Sequence, residues 1–495
     1  MTSNPILSRL SPLRQAADRF WRIFSPQRHQ KRPNLHQLGQ NSRLPTFVLE
    51  STVAMRYLRL LGPLDWGRFP ERDLETDWGT STVPYASFAA ACLVKLDQQL
   101  VYMSHLRQYL ADHPALVWIL GFPLVPSPDY AWGFDVDASL PTARHFTRML
   151  RTTPNAVSQY LLDETVRLIQ AELSTEVDDF GHAISLDTKH ILAWVKENNP
   201  KDYVQDRYDK TKQPAGDPDC RLGCKRRRNQ QTSSKEPPPT PRANPTPANV
   251  SIGEYYWGYA SGVLAFKSPD WGEFVLAELT LPFNQPDVAY FHPLMAETER
   301  RLGFRPKYGA FDAAYDAFYV YEYFHRDDLP LDAAFAAVPL SKRGGKHRQF
   351  DAQGLPLCEA GLAMPLKLTF ICRTTRFEHE RGRYACPLVF PELTGESCPI
   401  DHKKWPKGCV TTLATSVGAR IRYQLDRDSE VYENIYKQRT ATERINSQAK
   451  ELGIERPRLR NGQAIANQNT LIYVLINLRA LHRVRRKKAA RDSTV

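Results

Sequence analysis

Tyr436, Arg439, Glu443 and Lys450 are spaced by three, four and seven positions near the end of the chain. On a helix turning about 100° per residue, these four side chains fall within roughly a 60° arc. Ala441, Ile445, Ala449 and Leu452 lie on the opposite side, so one face can pack while the other presents an acid flanked by cations. A carboxylate binds a divalent cation, Arg grips a phosphate through paired hydrogen bonds and Lys adds a point charge, so the stripe suits metal and phosphate. A solvated amphipathic helix is the plainer reading of the same pattern.

Two acids far upstream complete a set. Ala183-Ile184-Ser185-Leu186 runs into Asp187, and Tyr308-Gly309-Ala310-Phe311 ends in Asp312. Each acid closes an apolar strand, where a buried framework fixes a carboxylate that solvent still reaches; either one alone would serve equally as a turn or cap residue. Three carboxylates brought together repel and take up protons, and a divalent metal is their natural neutralising partner.

The surrounding pattern supplies elements to position them. After the strand at Asp187, the runs Tyr255 to Phe266 and Gly272 to Leu281 flank Ser268-Pro269-Asp270 and read as a hairpin. A helix from about Val288 to Leu302 follows, then the strand ending at Asp312, a helix through Ala317 to Phe324 with Asp316 as its N-cap, and a short strand from Ala334 to Leu340. Strand, strand, strand, helix, strand, helix, strand is the order of a ribonuclease H-like α/β core, in which the first and fourth strands are neighbours, so Asp187 and Asp312 would converge. The fold expected is thus α/β: a ribonuclease H-like mixed sheet with flanking helices, interrupted by insertions and preceded by a mainly α-helical N-terminal region.

The pattern Y-x2-R-x3-E-x6-K resembles the signature of the insertion-sequence DDE transposases, and all four positions match. The resemblance covers roughly residues 180 to 340 and 430 to 480. It implies that Asp187, Asp312 and Glu443 are the catalytic, metal-binding acids, holding two Mg2+ ions for which Mn2+ can substitute. Such a pair activates water to cut a phosphodiester and then, with the liberated 3′ hydroxyl as nucleophile, joins the cut end to target DNA. It also implies that Arg439 and Lys450 contact phosphates near the scissile bond, and that Tyr436 packs or hydrogen-bonds to the same strand; Tyr436 fits a helix-interface wall equally well. Lys342 and Arg343, just after the last strand, are further candidates to meet DNA. The partner expected is double-stranded DNA, both element ends and target, and cutting two ends together calls for a homodimer. A nuclease of the same fold that cuts without joining, and a DNA-binding regulator that has lost catalysis, are the competing readings.

The organisation then divides into a helical region over residues 1–175, the first part of the catalytic domain over 176–345, a Cys-rich insertion over 346–425, the catalytic helix and the end of the domain over 426–482, and a basic tail over 483–495 that carries Arg483, Arg485, Arg486, Lys487 and Lys488. Residues 200–250, with Lys225 to Arg228 and the Pro237 to Pro247 cluster, read as an exposed, largely disordered basic loop. In the N-terminal region, a helix from Pro141 to Leu150, a break at Thr152 to Pro154 and a second helix from Val157 to Leu173 form a helix-turn-helix-like pair or two ordinary packed helices. Arg144, Arg148 and Arg151 mark it for DNA-end contact, as Arg14, Arg19 and Arg22 mark the start of the chain.

A chain of 495 residues carrying a net charge of +12 favours a polyanionic partner. Its longest apolar stretches fall short of the roughly 18 residues a membrane span needs, and no apolar signal region opens the sequence, so a cytoplasmic protein is expected. Eight cysteines in this length do not make a disulfide framework. Cys386, Cys398, His402 and Cys409 are candidates for a structural zinc site, with Cys358, Cys372 and His379 as alternatives. A phosphate-cradling glycine loop of the nucleotide-hydrolase type is absent from the sequence.

Overall fold

Val263, Ala265 and Val275 project from one side of a central sheet and Leu264, Phe266, Phe274 and Leu276 from the other, and both sets are buried. Strand residues alternate between faces, so this doubly apolar pattern requires cover on both sides. The computed structural model supplies it, describing residues 44–72, 83–129, 131–224, 255–341, 348–373, 377–400 and 407–493.

The strands are β1 (Ala183–Leu192), β2 (Arg221–Cys224), β3 (Tyr255–Ser268), β4 (Gly272–Pro282), β5 (Tyr308–Ala310) and β6 (Phe335–Ala337). They form one mixed sheet in the order β2-β3-β1-β5-β6, with β4 also paired to β3. β3 runs antiparallel to β1 and to β4, whereas β5 pairs parallel with both β1 and β6. The β3–β4 hairpin turns where Ser268, Pro269 and Asp270 lead into Gly272, whose φ of 97° suits a residue without a Cβ.

Nine of the helices among the described residues are needed to place this sheet. The N-terminal ones needed here are α1 (Thr52–Leu61), α2 (Tyr85–Asp97), α3 (Met103–Ala111), α4 (Ala143–Thr152) and α5 (Asn155–Leu173); beyond β4 come α6 (Phe291–Leu302), α7 (Phe318–Phe324), α8 (Thr440–Glu451) and α9 (Gly462–Asp492). On one face of the sheet, Ala441, Ile445 and Ala449 of α8 and the run Leu471 to Leu478 of α9 share a core with Val263, Ala265 and Val275; that core continues into Val48, Leu93, Leu116, Phe146 and Leu161 of the N-terminal helices. On the other face, Phe291, Leu294 and Met295 of α6 and Val320, Tyr321 and Phe324 of α7 pack with Ile184, Leu186 and Leu264.

Helix α9 holds the two halves of the chain together with polar as well as apolar groups. Asn477 accepts from the Val275 amide and donates to the Val275 carbonyl, both at 2.8 Å, and donates to Thr165 Oγ1 at 3.0 Å. Asn467 donates to the Leu150 and Thr153 carbonyls at 2.9 and 2.8 Å. Buried Glu278 of β4 accepts from Gln159 at 2.9 Å and from Thr470; burial pushes its carboxyl up to about 7 even so. Buried polar groups need such partners.

Four expectations are corrected. Residues 483–492 are not a separate tail but the last turns of α9, with most of their basic side chains still exposed: Arg485 and Lys488 pair with Glu172, and Arg491 pairs with Glu176 at 3.0 Å. Residues 200–224 of the expected disordered loop are ordered, because Tyr259 donates to buried Asp217 at 2.7 Å and Trp257 Nε1 donates to the Arg207 carbonyl at 2.9 Å; residues 225–250 lie outside the described residues. Asp316 does not cap α7, whose N-cap is Ala317 without a side-chain bond. Instead Asp316 is buried against Arg422, at 2.5 Å, and accepts from the Ser341 amide at 2.7 Å. Asp187 does not end its strand: β1 continues five residues further because β3 pairs with it as far as Leu192.

The Cys-rich insertion is built on a three-stranded antiparallel sheet of β7 (Leu366–Cys372), β8 (His379–Ala385) and β9 (Val410–Ala414). Among the described residues, no helix is long and apolar enough to cross a membrane.

Candidate active site

The parallel pairing of β1 with β5 aligns Ala183 with Tyr308, Ile184 with Gly309 and Ser185 with Ala310. Asp187 and Asp312 each lie two residues beyond the last of these pairs, so the two acids leave adjacent strands at one register. Adjacent strands run about 4.8 Å apart. Leu186 and Phe311, the residues just before them, both point into the α6–α7 core, so both acids project to the side on which α8 lies.

Burial pushes the Asp187 carboxyl up to about 6, against the Thr188 amide that favours its charged form; Asp312 raises it further and Arg439 opposes. Asp312 is also raised, by burial first, while the Ala314 amide donates to its Oδ1 at 2.8 Å and lowers it. Asp312 is thus both a cap, for the short turn Ala313–Tyr315, and a member of an acidic pair.

The signature segment is divided. Helix Glu430–Tyr436 gives way to a tighter turn over Lys437–Arg439 before α8 begins at Thr440, so Tyr436 is not on one straight stripe with Glu443 and Lys450. The tight turn packs against β1 and β5, which explains the break: it lets Arg439 reach the acidic pair while α8 lies across β1, β3 and β4. The apolar side behaves as its spacing requires, with Ala441, Ile445, Ala449 and Leu452 all buried.

Asn446 Nδ2 donates to Asp187 Oδ2 at 3.0 Å, fixing α8 to the first strand at the acid itself. Glu443, one turn earlier on α8, is 51% exposed and is paired with Arg439 at 2.5 Å. Tyr436 stacks on Tyr432, with ring centroids 6.0 Å apart and planes 12° apart, in the manner of an interface wall. Lys450 is exposed beside Glu455, at 3.9 Å, and Glu455 also holds Lys189 of β1 at 2.6 Å. The structure therefore brings together Asp187, Asp312 and Arg439, and places Glu443 against Arg439. Among the described residues, no three His, Cys, Asp or Glu side chains are gathered, as they stand, into a group that would hold a metal ion.

The remaining candidates fall elsewhere. Lys342, Arg343 and His402 lie outside the described residues, as do Arg14, Arg19 and Arg22. Arg144, Arg148 and Arg151 are exposed on α4, whereas α5 is buried along most of its length against α9. The arginine face of this helix pair is therefore on its first member; in a DNA-reading helix-turn-helix the second enters the groove. In the insertion, the Cys386 amide donates to the Cys409 carbonyl at 2.9 Å. Burial pushes the Cys409 thiol up to about 11, and Cys386 and Cys358 push it in the same direction.

Two residues that meet β1 at or next to Asp187 escaped the sequence reading: Asn446, bonded to Asp187, and Asp287, bonded to Thr188. Asn446 was within reach, because it stands three positions after Glu443 on the same helix. Asp287 gave no spacing signal, since it meets β1 from the turn after β4.

No protein-family model matches the chain, and no curated protein matches it either.

Proposed function

We propose that this chain is a DNA transposase of the insertion-sequence type, whose sheet is a ribonuclease H-like core that cleaves element ends and joins the 3′ hydroxyl to target DNA. The observation that carries the reading is the in-register pair Asp187 and Asp312, with the signature helix bound to Asp187 through Asn446. The strand sequence of the sheet, with the third, second, first, fourth and fifth core strands side by side, agrees with it.

The donor set fits hard divalent cations. Burial holds the Asp187 and Asp312 carboxyls above their ordinary range although Arg439 opposes it, and Asn446 Oδ1 is buried without a hydrogen-bond partner beside Asp187. Asp187, Asp312 and Glu443 would hold Mg2+, or Mn2+ in its place. When bound, a pair of such ions supplies an activated nucleophile and a stabilised leaving oxygen. Glu443 turning toward the acidic pair would release Arg439, leaving its guanidinium for a phosphate of the strand being cut. Lys450 and Lys189 flank Glu455 beside β1. Two copies acting on paired ends remain the expected assembly, and a structural Zn2+ on Cys386 and Cys409, with Cys358, Cys398 or His402 completing the set, is checked by metal analysis of the purified chain.

The test is a strand-transfer assay. Incubated with a pre-cleaved end, target DNA and Mg2+, the protein yields joined product; cutting of intact ends with no joining would make it a nuclease instead.

A further inference from the structure

Trp194 stands just past the end of β1, and it is 40% exposed. Two arginines from a remote stretch of the chain share its ring: the guanidinium carbon of Arg460 lies 5.1 Å from the ring centroid and that of Arg458 5.8 Å. Arg460 Nε also donates to the Trp194 carbonyl at 3.1 Å. The segment that carries them leaves α8 and crosses the end of β1, where the Leu192 amide donates to the Glu455 carbonyl at 2.9 Å.

Burial alternates along this segment. Pro457 and Leu459 are buried and anchor it, which leaves Arg456, Arg458 and Arg460 exposed. Among the described residues, none of these three arginines pairs with an acid. Lys189 and Lys450 are the contrast, since Glu455 holds them at 2.6 and 3.9 Å. The face of an indole ring orients a guanidinium without neutralising it. Arg458 and Arg460 therefore keep their charge and most of their N–H donors while one ring fixes them side by side. Two like charges held in this way repel, and an anion that bridges them removes the cost; the planar forks suit the paired oxygens of a phosphate.

Their place in the fold selects the phosphate. Asp187 and Leu192 are both on β1, separated by about 17 Å of strand. That is the rise of about five nucleotides of duplex. A duplex that lies along β1 from the acidic pair reaches the arginines with its backbone still continuous.

We propose that Arg458 and Arg460, with Trp194 as the positioning residue that holds them, form a backbone-phosphate site for duplex DNA beyond the point of cleavage. This rests on the reading of Asp187 and Asp312 as the cleavage site, and it adds cations that the signature spacing does not contain.

Fluorescence anisotropy of the full-length protein on short duplex DNA of arbitrary sequence, over a range of salt concentrations and without divalent metal, tests it separately from any cleavage. Arg458→Ala combined with Arg460→Ala weakens binding at least about tenfold at low salt and reduces the slope of log affinity against log salt by about two. Trp194→Leu weakens binding by a smaller factor in the wild type and has no further effect in the double-arginine variant, because the ring acts only through the side chains it holds. Unchanged affinity and slope in the double-arginine variant overturn the inference and leave the parent reading standing, whereas a wild type that binds no duplex removes both. A Trp194→Leu loss of equal size in the two backgrounds overturns the positioning role. If the double-arginine variant loses binding to single-stranded RNA but keeps that to duplex DNA, the assignment to DNA is wrong. Should that variant not fold, Arg458→Ala alone decides, since Arg458 makes no hydrogen bond among the described residues: a slope lower by about one supports the proposal, and an unaltered slope overturns it.

Discussion

Asn446 donates its side-chain amide to Asp187 Oδ2 across 3.0 Å, joining a helix near the end of the chain to the first strand of the sheet at a half-buried acid. Every other acid and cation of the site is arranged around this link. Its energetic setting gives the first prediction.

Asp187 has a folded value of about 6 against an ordinary 3.8. A carboxyl raised in the folded state holds its proton more tightly there, so its contribution to stability is complete below about pH 4 and is lost as pH rises through 6. Metal-free protein should therefore melt at lower temperature at pH 8 than at pH 5. Asp187→Asn should melt about 2–4 °C above wild type at pH 8, with the gap narrowed to roughly half at pH 5. Asp312 and Glu278 are raised in the same direction and leave a residual slope. Scanning calorimetry in chelator checks this, and a variant less stable than wild type at pH 8 would count against the assignment.

Arg439 and Glu443 form a pair that is partly open to solvent, the acid being 51% exposed. Pairs of this kind contribute at most about 1 kcal/mol. Arg439→Ala should hardly change the melting temperature, yet it should slow end cleavage tenfold or more, since a phosphate contact is lost. Lys450→Ala should weaken DNA binding with little dependence on sequence and reduce the salt slope of binding by about one. Fluorescence anisotropy over a range of salt concentrations reads the second effect; an unaltered slope would remove Lys450 from the interface.

Asp316 and Arg422 are the opposite case, with side chains 0% and 11% exposed and 2.5 Å apart. Burial raises the Asp316 carboxyl, but Arg422, the Ser341 amide and Tyr321 outweigh it and hold it below its ordinary value. Stability from this acid is present above pH 4 and is lost as pH falls through its depressed folded value. Arg422→Ala leaves a buried charge unpaired and should cost about 3–5 kcal/mol in urea unfolding, while pairing it with Asp316→Ala should recover part of that loss. Equal loss in the single and double variants would show that packing, not charge, is at stake.

The legible parts of the sequence were those set by local period. The hairpin at Ser268 to Asp270, the buried side of α8 at Ala441, Ile445 and Ala449, and the neighbouring of the first and fourth strands all follow from alternation, helical spacing and strand order. What the sequence hid depends on tertiary partners. Asp316 has the residue type of a helix cap, but the buried Arg422 arrives from 106 residues away and takes it. Arg485 and Lys488 read as part of a basic tail because their partner Glu172 is distant in sequence. The break at Lys437–Arg439 was concealed by a helix-compatible spacing, and only contact with β1 and β5 reveals it. Asp287 belonged to no motif at all.

Cleavage of DNA carrying the element's ends, measured with Mg2+ for the wild type and Asp187→Asn beside a binding assay on the same DNA, tests the central claim most directly. The expected result is cutting by the wild type alone, a rate at least about a thousandfold lower in Asp187→Asn, and end binding nearly equal in the two. Cutting by Asp187→Asn at the wild-type rate would contradict the account.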